Sequence, residues 1–425
     1  MRGNYTGEPD PGGRSSVTVP SPGTAPCIVM AGEGPPSTAC GGEADKGVDG
    51  EPAPTMTGST TTSTDDPTTP PRRKVAIVLF NLGGPDSPEA IEPFLLNLFR
   101  DPAILRVPFF VRPFLARTIT RARLAPATEN YALLGGKSPL LGLTQEQAMA
   151  LEDALPDIEA RCFIAMRYWY PFSLEAARAV KAWGPDEVVL LPLYPQFSTT
   201  TTGSSLSAWR QAAVRIGLAA DTTTVCCYPI DPAYAAATAA LVKAGYKQAR
   251  AALDPDVPLR VLFSAHGLPE VIVQRGDPYQ WQIEQTVARV LAAWGAVVDY
   301  TICYQSRATP QKWLGPSTDE EIERAAKDKT AVLVVPIAFV SEHTETLVEL
   351  DVEYRDLAVK LGVPGYFRVP TQNADPGFIA SLAGVVRRAI GCGPGLCGGA
   401  GGRICRLEHV GCPFVAIASR TPPRG

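Results

Sequence analysis

Two stretches, VLFNLGG at residues 78–84 and VLFSAHG at residues 261–267, determine the fold. Each is an apolar run that reaches a polar residue and then glycine, as expected of a strand that is buried on both faces and ends in a tight turn. Similar segments follow both of them. RYWYP (167–171) and CYQSRATP (303–310) end a second strand, and LPLYPQFS (191–198) and VPIAFVSEH (335–343) end a third. The sequence therefore predicts two copies of one domain.

Between these segments, short β-branched runs alternate with helical patterns, which is typical of βα units and parallel sheets. Strands are predicted at residues 75–80, 162–167, 187–193, 224–228, 259–265, 298–303, 331–337 and 366–369. We predict an α/β fold of two similar doubly wound domains, each with a four-stranded parallel sheet flanked by helices. Ligands of such sheets bind beyond the carboxyl ends of the strands, so both halves are expected to face one cleft.

The pattern divides the chain into five parts. A low-complexity tail (1–73) precedes the first domain (74–230), which is followed by the second domain (231–370). A helix at 371–390 is expected to pack back on the first domain, and a cysteine-rich extension (391–425) completes the sequence. The tail is rich in Gly, Pro, Ser and Thr and buries too little apolar surface to offset its ordering entropy, so we predict that it is disordered.

The bulk properties argue against several classes of protein. A net charge of -4 provides no basic field for nucleic acid. The sequence has no apolar run of the roughly 20 residues that cross a bilayer, and its first residues lack a secretory pattern, so a cytoplasmic location is expected. In that reducing compartment the ten cysteines are expected to be free thiols or metal ligands. GGKS at 135–138 lacks the upstream glycine of a P-loop, and no strand precedes a full GxGxxG, which argues against NTPases and nicotinamide dehydrogenases.

The first domain carries an insertion at about residues 94–143, of which residues 94–125 mix large apolar side chains with six arginines. These are Arg100, Arg106, Arg112, Arg117, Arg121 and Arg123. One interpretation is an amphipathic helical cover on the domain. Another is a lip that lies in the membrane interface with its arginines toward lipid phosphates, which would place a cytoplasmic protein peripherally on the inner face of the membrane. A basic face for a protein partner is the third.

Two segments carry candidate chemistry. His266 follows a predicted strand, and its imidazole titrates near neutrality and can take protons from a substrate. Glu345, Glu349 and Glu353 recur every four residues on a predicted helix, where like charges repel. The row is either a solvated acidic face or a track that conducts metal ions inward or protons outward. His343 at its head adds a nitrogen ligand suited to a divalent transition metal.

Other residues have the character of ligand-positioning groups, although ordinary packing explains each equally well. Ser138 lies in GGKSPL, near a turn that offers backbone donors. Arg167, beside Tyr168, ends a strand where a guanidinium can hold a carboxylate with two hydrogen bonds. Trp313 offers an aromatic wall.

Seven segments of the chain resemble the ferrochelatase family, in order, from about residue 74 to 389. They are LFNLGGPD (79–86), YALLGGKSPL (131–140), MRYWYP (166–171), LYPQFSTTTTGSS (193–205), FSAHGLP (263–269), CYQSRATPQKWLGPST (303–318) and VPIAFVSEHTETLVELDVEY (335–354). The resemblance implies two similar four-stranded domains around a porphyrin cleft. It also implies a lyase that inserts Fe²⁺ into a porphyrin, with protoporphyrin IX favoured over coproporphyrin, and that forms heme while two protons are released.

The resemblance also implies roles for individual residues. His266 and Glu345 correspond to the catalytic and metal-facing pair, with His343 and Glu349 as further metal-facing groups. The porphyrin-facing positions correspond to Leu82, Ser138, Arg167, Tyr168, Tyr304 and Trp313. Which of His266 and Glu345 takes protons and which delivers metal stays open.

The C-terminal tail of the chain, which includes the cysteine-rich extension, has four cysteines in 21 residues, which points to a metal site. They are Cys392, Cys397, Cys405 and Cys412, and their spacing matches no common zinc module. Some ferrochelatases carry a [2Fe–2S] cluster near the C-terminus, and four thiolates suit one. Because Thr199 stands where animal members have a cysteine, all four ligands would come from this tail. A zinc site and free thiols are the alternatives.

Two other functions are alternatives to iron insertion. A non-catalytic tetrapyrrole- or metal-binding protein on the same scaffold would not need the acidic row, so Glu345 and Glu349 argue against it. A cobalt or nickel chelatase of related fold would share the histidine and the glutamates. The FNLGGP and WLGP segments favour the iron enzyme.

Overall fold

The structure, a computed structural model, describes residues 73–306, 311–399 and 402–414. Within these ranges the strands are β1 (Lys74–Asn81), β2 (Glu159–Met166), β3 (Glu187–Pro192), β4 (Asp221–Val225), β5 (Leu259–His266), β6 (Asp299–Gln305), β7 (Ala331–Pro336), β8 (Tyr366–Arg368) and β9 (Gly395–Cys397). The α-helices are α1 (Ile91–Arg100), α2 (Arg112–Leu133), α3 (Leu140–Asp153), α4 (Ser173–Trp183), α5 (Thr202–Ile216), α6 (Pro232–Ala252), α7 (Glu270–Gln274), α8 (Tyr279–Trp294), α9 (Thr318–Lys327), α10 (Tyr354–Leu361) and α11 (Pro376–Cys392). A 3₁₀ turn (Pro88–Ala90) precedes α1, and a π-helix (Glu345–Glu353) precedes α10.

The strands of the described residues form two parallel sheets with the same internal order. The first runs β2-β1-β3-β4-β9 and the second β6-β5-β7-β8. In each, the first strand of its half lies between the second and the third. The predicted α/β fold with an internal repeat is therefore confirmed.

The first sheet has a fifth strand, so the prediction of four strands in that sheet is wrong. β9 comes from the cysteine-rich extension and pairs in parallel with β4, with Leu396 opposite Thr224. Three residues between a proline and a glycine have too little pattern to predict a strand. The free edge of β4 supplies the backbone partners that make this segment extended.

Alternate residues of β1 enter two different cores, because successive side chains of a strand point to opposite faces. Val75, Ile77 and Leu79 pack on one side of the first sheet, and Val78 and Phe80 pack on the other. Strands covered on both faces are apolar throughout, which is why the sequence predicted them well.

α11 covers one face of the first sheet. Its N-terminus is capped by Asp375, whose Oδ1 accepts the Phe378 N–H at 3.0 Å. Phe378, Leu382 and Val386 are buried in the same core as the inward face of β1. Helix 376–392 thereby holds the start of the cysteine-rich extension beside the first sheet.

The insertion forms α1, a run of turns and α2. α2 spans 22 residues, of which Ala116, Thr120 and Tyr131 are buried. The turns before it expose Phe109 (79%) and Phe110 (64%), and α2 itself exposes Phe114 (71%). None of the helices in the described ranges is both long enough and apolar enough to span a bilayer.

The predicted disordered tail lies outside the described residues except for Arg73. The domain boundaries near residues 230 and 370 stay predictions.

Candidate active site

His266 is the last residue of β5, and Glu345 opens the π-helix after β7. β5 and β7 are neighbours in the second sheet, so their carboxyl ends lie side by side. The Nδ1 atom of His266 is 2.8 Å from Oε2 of Glu345. The next residue, Gly267, lies so close to β6 that a Cβ atom there would be 2.7 Å from the carbonyl oxygen of Gln305.

His343 joins this pair. Its Nε2 atom is 3.7 Å from Oε2 of Glu345, and its ring packs against Phe339 with centroids 4.7 Å apart. Its backbone N–H donates to Oγ1 of Thr346 at 3.0 Å. The buried ring is thus held at the entrance to the π-helix.

The charges of the pair reinforce each other. Burial by itself would lower the pKa of His266, but the carboxylate of Glu345 outweighs it and the pKa is raised. Burial would raise the pKa of Glu345, but His266 and then His343 hold it well below its usual range. Each side chain therefore favours the charged form of the other, and one hydrogen bond joins them.

Glu349 lies one turn further along the π-helix. It accepts from Nε2 of Gln305 at 3.0 Å and from the Ser306 N–H at 2.9 Å. Burial and the neighbouring charge of Glu345 raise its pKa despite these donors. Of the site carboxyls, Glu349 therefore takes up a proton more readily than Glu345.

The acidic row leads from the interior to the surface. Glu345 and Glu349 are half-buried, whereas Glu353 is exposed and accepts from Nδ2 of Asn130 on α2 at 3.1 Å. The prediction of an ordinary helix is wrong here: residues 345–353 form a π-helix, a form that occurs frequently at functional sites.

Gln305 and Tyr131 belong to the site, and sequence reasoning missed both. The buried Gln305 amide donates to the Glu345 carbonyl oxygen at 3.0 Å as well as to Glu349, and its Oε1 accepts from Ser264 at 2.9 Å. The Tyr131 hydroxyl meets Thr344, and burial raises its pKa to about 12. Both lie inside segments that carried the family resemblance, but no spacing rule singles them out.

Arg167 belongs to a polar network at the end of β2. Its guanidinium lies 2.8 Å from Oδ2 of Asp101 and donates to Oγ of Ser204 at 2.6 Å. Tyr168 is fully buried, and its hydroxyl donates to the same Asp101 oxygen at 2.8 Å. Tyr168 therefore helps to hold the carboxylate that forms the ion pair with Arg167. Arg167 also lines a cavity of about 660 Å³, together with the start of α4 and one face of α5.

The remaining predicted porphyrin-facing residues have different surroundings. Trp313 packs near Gly267, beside His266. Tyr304 is buried in the core of the second half. Leu82 packs in the cluster beneath α1 and α2, and Ser138 is so close to Gly84 that a Cβ atom there would lie 2.5 Å from its Oγ.

In the described part of the chain, no three or more histidine, cysteine, aspartate or glutamate side chains form a group able to hold a metal ion. Of the predicted metal-facing residues, His266 and His343 both lie near Oε2 of Glu345, at 2.8 and 3.7 Å.

Comparison with known proteins identifies the family. The ferrochelatase family model matches residues 74–390. The chain belongs to the ferrochelatase family. Ferrochelatases are lyases that insert ferrous iron into a porphyrin to form heme, and that is the activity of this chain. The ferrochelatase of Caulobacter vibrioides is 51% identical over 82% of this chain and 99% of its own length. That of Hyphomonas neptunium is 50% identical over 83% and 98%. Among solved structures, SirB from Bacillus subtilis with Fe³⁺ has a TM-score of 0.43 and 16% identity, over 74% of this chain and 95% of that one.

The four tail cysteines, predicted as one ligand set of this ferrochelatase, are not brought together. Cys392 and Cys397 form a disulfide, which corrects the expectation that the cysteines avoid disulfides. Cys412 lies instead against Cys226, and Cys405 lies against Cys412, because β9 pairs with β4 and draws the cysteine-rich extension over the residues that follow β4.

We call Cys226, Cys227, Cys405 and Cys412 the thiol group. Gln282 donates to Sγ of Cys405 at 3.1 Å and to Sγ of Cys227 at 3.4 Å. Hydrogen bonds from Cys226 and Cys405 lower the pKa of Cys412 to about 3 and so favour its thiolate form. Thiolates are the ligands that iron–sulfur clusters use.

Proposed function

We propose that iron insertion takes place at His266 and Glu345. The observation that carries this is their 2.8 Å contact at the carboxyl ends of two adjacent parallel strands. Insertion exchanges the two inner N–H protons of the porphyrin for Fe²⁺, so the site must accept two protons and present a metal ion to the ring. A histidine beside a row of carboxylates offers both kinds of group.

The arrangement of the row supports a division of labour. His266 and Glu345 already share one hydrogen bond, so a further proton needs another acceptor. Glu349 has a raised pKa and is joined to Glu345 through Gln305. Glu353 then reaches the surface. In this proposal the row exchanges cations with solvent, while His343 holds Glu345 from its other side.

We place the porphyrin between the second sheet and the insertion. Trp313 beside Gly267 offers an aromatic wall, and Arg167 at the end of β2 offers a guanidinium for a propionate. Walls that hold a bent ring expose its nitrogen lone pairs, and binding energy offsets that distortion.

The test is an anaerobic assay of Fe²⁺ insertion with protoporphyrin IX and with coproporphyrin. We expect heme from protoporphyrin IX at the higher kcat/KM. A purified protein that binds porphyrin but forms no heme from either substrate would exclude the proposal and favour the non-catalytic binding protein. Insertion of cobalt or nickel but not of iron would favour the related chelatases.

We propose further that the thiol group, rather than the four tail cysteines, holds a [2Fe–2S] cluster. Its support is the low pKa of Cys412 and the burial of the cysteines around it. The cluster would be a structural group, because the residues around His266 come from other segments of the chain.

We also propose that the protein works in the cytoplasm, peripherally on the inner face of the membrane. Six of the cysteines in the described ranges are unbridged, which suits a reducing compartment. Phe109, Phe110 and Phe114 are exposed beside arginines of the insertion, which is the composition of an interfacial lip.

A further inference from the structure

The backbone around His266 is held from two sides. The carbonyl oxygen of His266 accepts from the hydroxyl of Tyr279 at 3.0 Å. The next N–H, of Gly267, donates to the carbonyl oxygen of Gln305 at 2.8 Å. The second bond continues the β5–β6 ladder, but the first comes from a side chain outside the sheet.

Tyr279 is well placed to act as an anchor. It is the first residue of α8 and is 6% exposed. Its ring packs in the core of the second half with Phe263 and Leu268 from either side of His266. A buried phenol on a helix end has little freedom, so its hydroxyl marks a fixed point for the end of β5.

Tyr279 is in turn fixed by the first half of the chain. The Tyr279 N–H donates to Oδ1 of Asp277 at 3.0 Å. Oδ2 of the same buried carboxylate accepts from the N–H and the hydroxyl of Thr199, each at 2.7 Å. Thr199 lies in the loop after β3 of the first sheet. A continuous path of hydrogen bonds therefore joins the two halves to His266.

We infer that Tyr279 is a positioning residue for iron insertion: its hydroxyl holds the end of β5 so that Nδ1 of His266 faces Glu345. The inference rests on the proposed role of His266. Without this bond the His266–Gly267 segment loses its tie to α8 and can turn away from Glu345. Small misplacements of a reacting group cost large factors in rate, because the bound geometry must already be close to the reactive one.

The test compares Tyr279→Phe with Tyr228→Phe in the full chain. Each variant loses one buried phenol hydroxyl that donates to a backbone carbonyl, since Tyr228 donates to Pro192 at 3.1 Å in the first half. For Tyr279→Phe we expect kcat to fall about ten- to a hundredfold with KM for the porphyrin unchanged. Tyr228→Phe should keep kcat.

Imidazole NMR reports on the geometry directly. The chain has three histidines, so ¹⁵N-histidine labelling gives few signals, and those of His266 are assigned by their loss in His266→Ala. We expect Tyr279→Phe to shift the His266 ring nitrogens and to leave those of His409 in place.

Three results would overturn the inference. They are a normal kcat in Tyr279→Phe, a lowered kcat with unshifted His266 signals, and an equal loss in Tyr228→Phe. Absence of iron insertion by the unsubstituted protein would remove the proposed function instead, and the His266 signals would still decide whether Tyr279 positions this ring.

Discussion

Nδ1 of His266 and Oε2 of Glu345 lie 2.8 Å apart, although 79 residues separate them in the chain. The contact exists because β5 and β7 are adjacent parallel strands whose carboxyl ends share one edge. His266 ends β5 itself, and the segment 337–344 after β7 brings Glu345 to the same edge. The pairing of β5 with β7 in the second sheet therefore positions the two residues proposed for iron insertion.

His266→Ala should abolish Fe²⁺ insertion while porphyrin still binds. The imidazole is lost from the end of β5, but the walls that hold the ring are not altered. Porphyrin fluorescence measures binding, and anaerobic heme formation measures turnover. His409→Ala, on the tail beside Trp281, is the matched control and should keep activity. Near-normal turnover in His266→Ala would show that His266 is not the essential group.

Glu342→Gln should destabilise the fold in a pH-dependent way. Burial would raise the pKa of Glu342, but Arg368, whose Nη1 is 2.8 Å away, outweighs it and the pKa is lowered. A carboxyl with a lowered folded-state pKa contributes stability above its unfolded pKa near 4.5, and that stability is lost as the pH falls through the folded value. We expect a loss of about 1–3 kcal/mol at pH 7.

Urea unfolding at pH 7 and at a pH low enough to protonate folded Glu342 measures this difference. The free energies of unfolding of Glu342→Gln and of the unsubstituted protein should converge at low pH, where Glu342 is protonated and resembles glutamine. Glu408→Gln, an exposed residue paired loosely with Arg406, should change little at either pH. A deficit that is the same at both pH values would assign the loss to packing rather than to charge.

The exposed phenylalanines of the insertion should mediate binding to anionic vesicles. We expect the protein to sediment with such vesicles at low salt and to be released as salt rises, because arginine–phosphate attraction is screened. Phe109→Ser with Phe110→Ser should weaken binding, since both rings are exposed. Val297→Ser, an equally exposed apolar residue elsewhere, is the control. No vesicle binding at any ionic strength would leave the insertion as a plain cover on the domain.

Protein prepared without oxygen and with ample iron should be reddish if the thiol group holds a [2Fe–2S] cluster. Cys412→Ser should bleach it, because a hard oxygen replaces a soft thiolate. Cys392→Ser should keep the colour, since this exposed residue bonds to Cys397 and not to the thiol group. Cys162→Ser on β2 is the control for a cysteine outside both groups.

Loss of the cluster should lower stability first and activity only as a consequence. Loss of the colour in Cys392→Ser as well would show that the four tail cysteines, and not the thiol group, hold the cluster. A colourless, iron-free protein would end the cluster proposal and leave the ferrochelatase assignment unchanged.

The parts of the site that the sequence revealed are those with a local signal. β1 and β5 are apolar on both faces, so their extent could be read from a few consecutive residues, and His266 could be placed at a strand end. The four-residue spacing of Glu345, Glu349 and Glu353 predicted a row of carboxylates on one face of a helix. It did not predict a π-helix, because that form depends on backbone hydrogen bonds that the spacing of side chains does not reveal.

By itself, the sequence determined the two-copy α/β fold, the strand ends that carry His266 and Glu345, and the ferrochelatase family. These depend on apolar runs and motifs that lie within short segments of the chain. Only the tertiary structure decided that Gln305 bridges the glutamates, that Tyr279 holds the His266 backbone, and that Cys226 meets Cys412 through the pairing of β9 with β4. Such contacts join residues far apart in the chain, and they arise only when packing and strand pairing bring the backbones together, which no local pattern records.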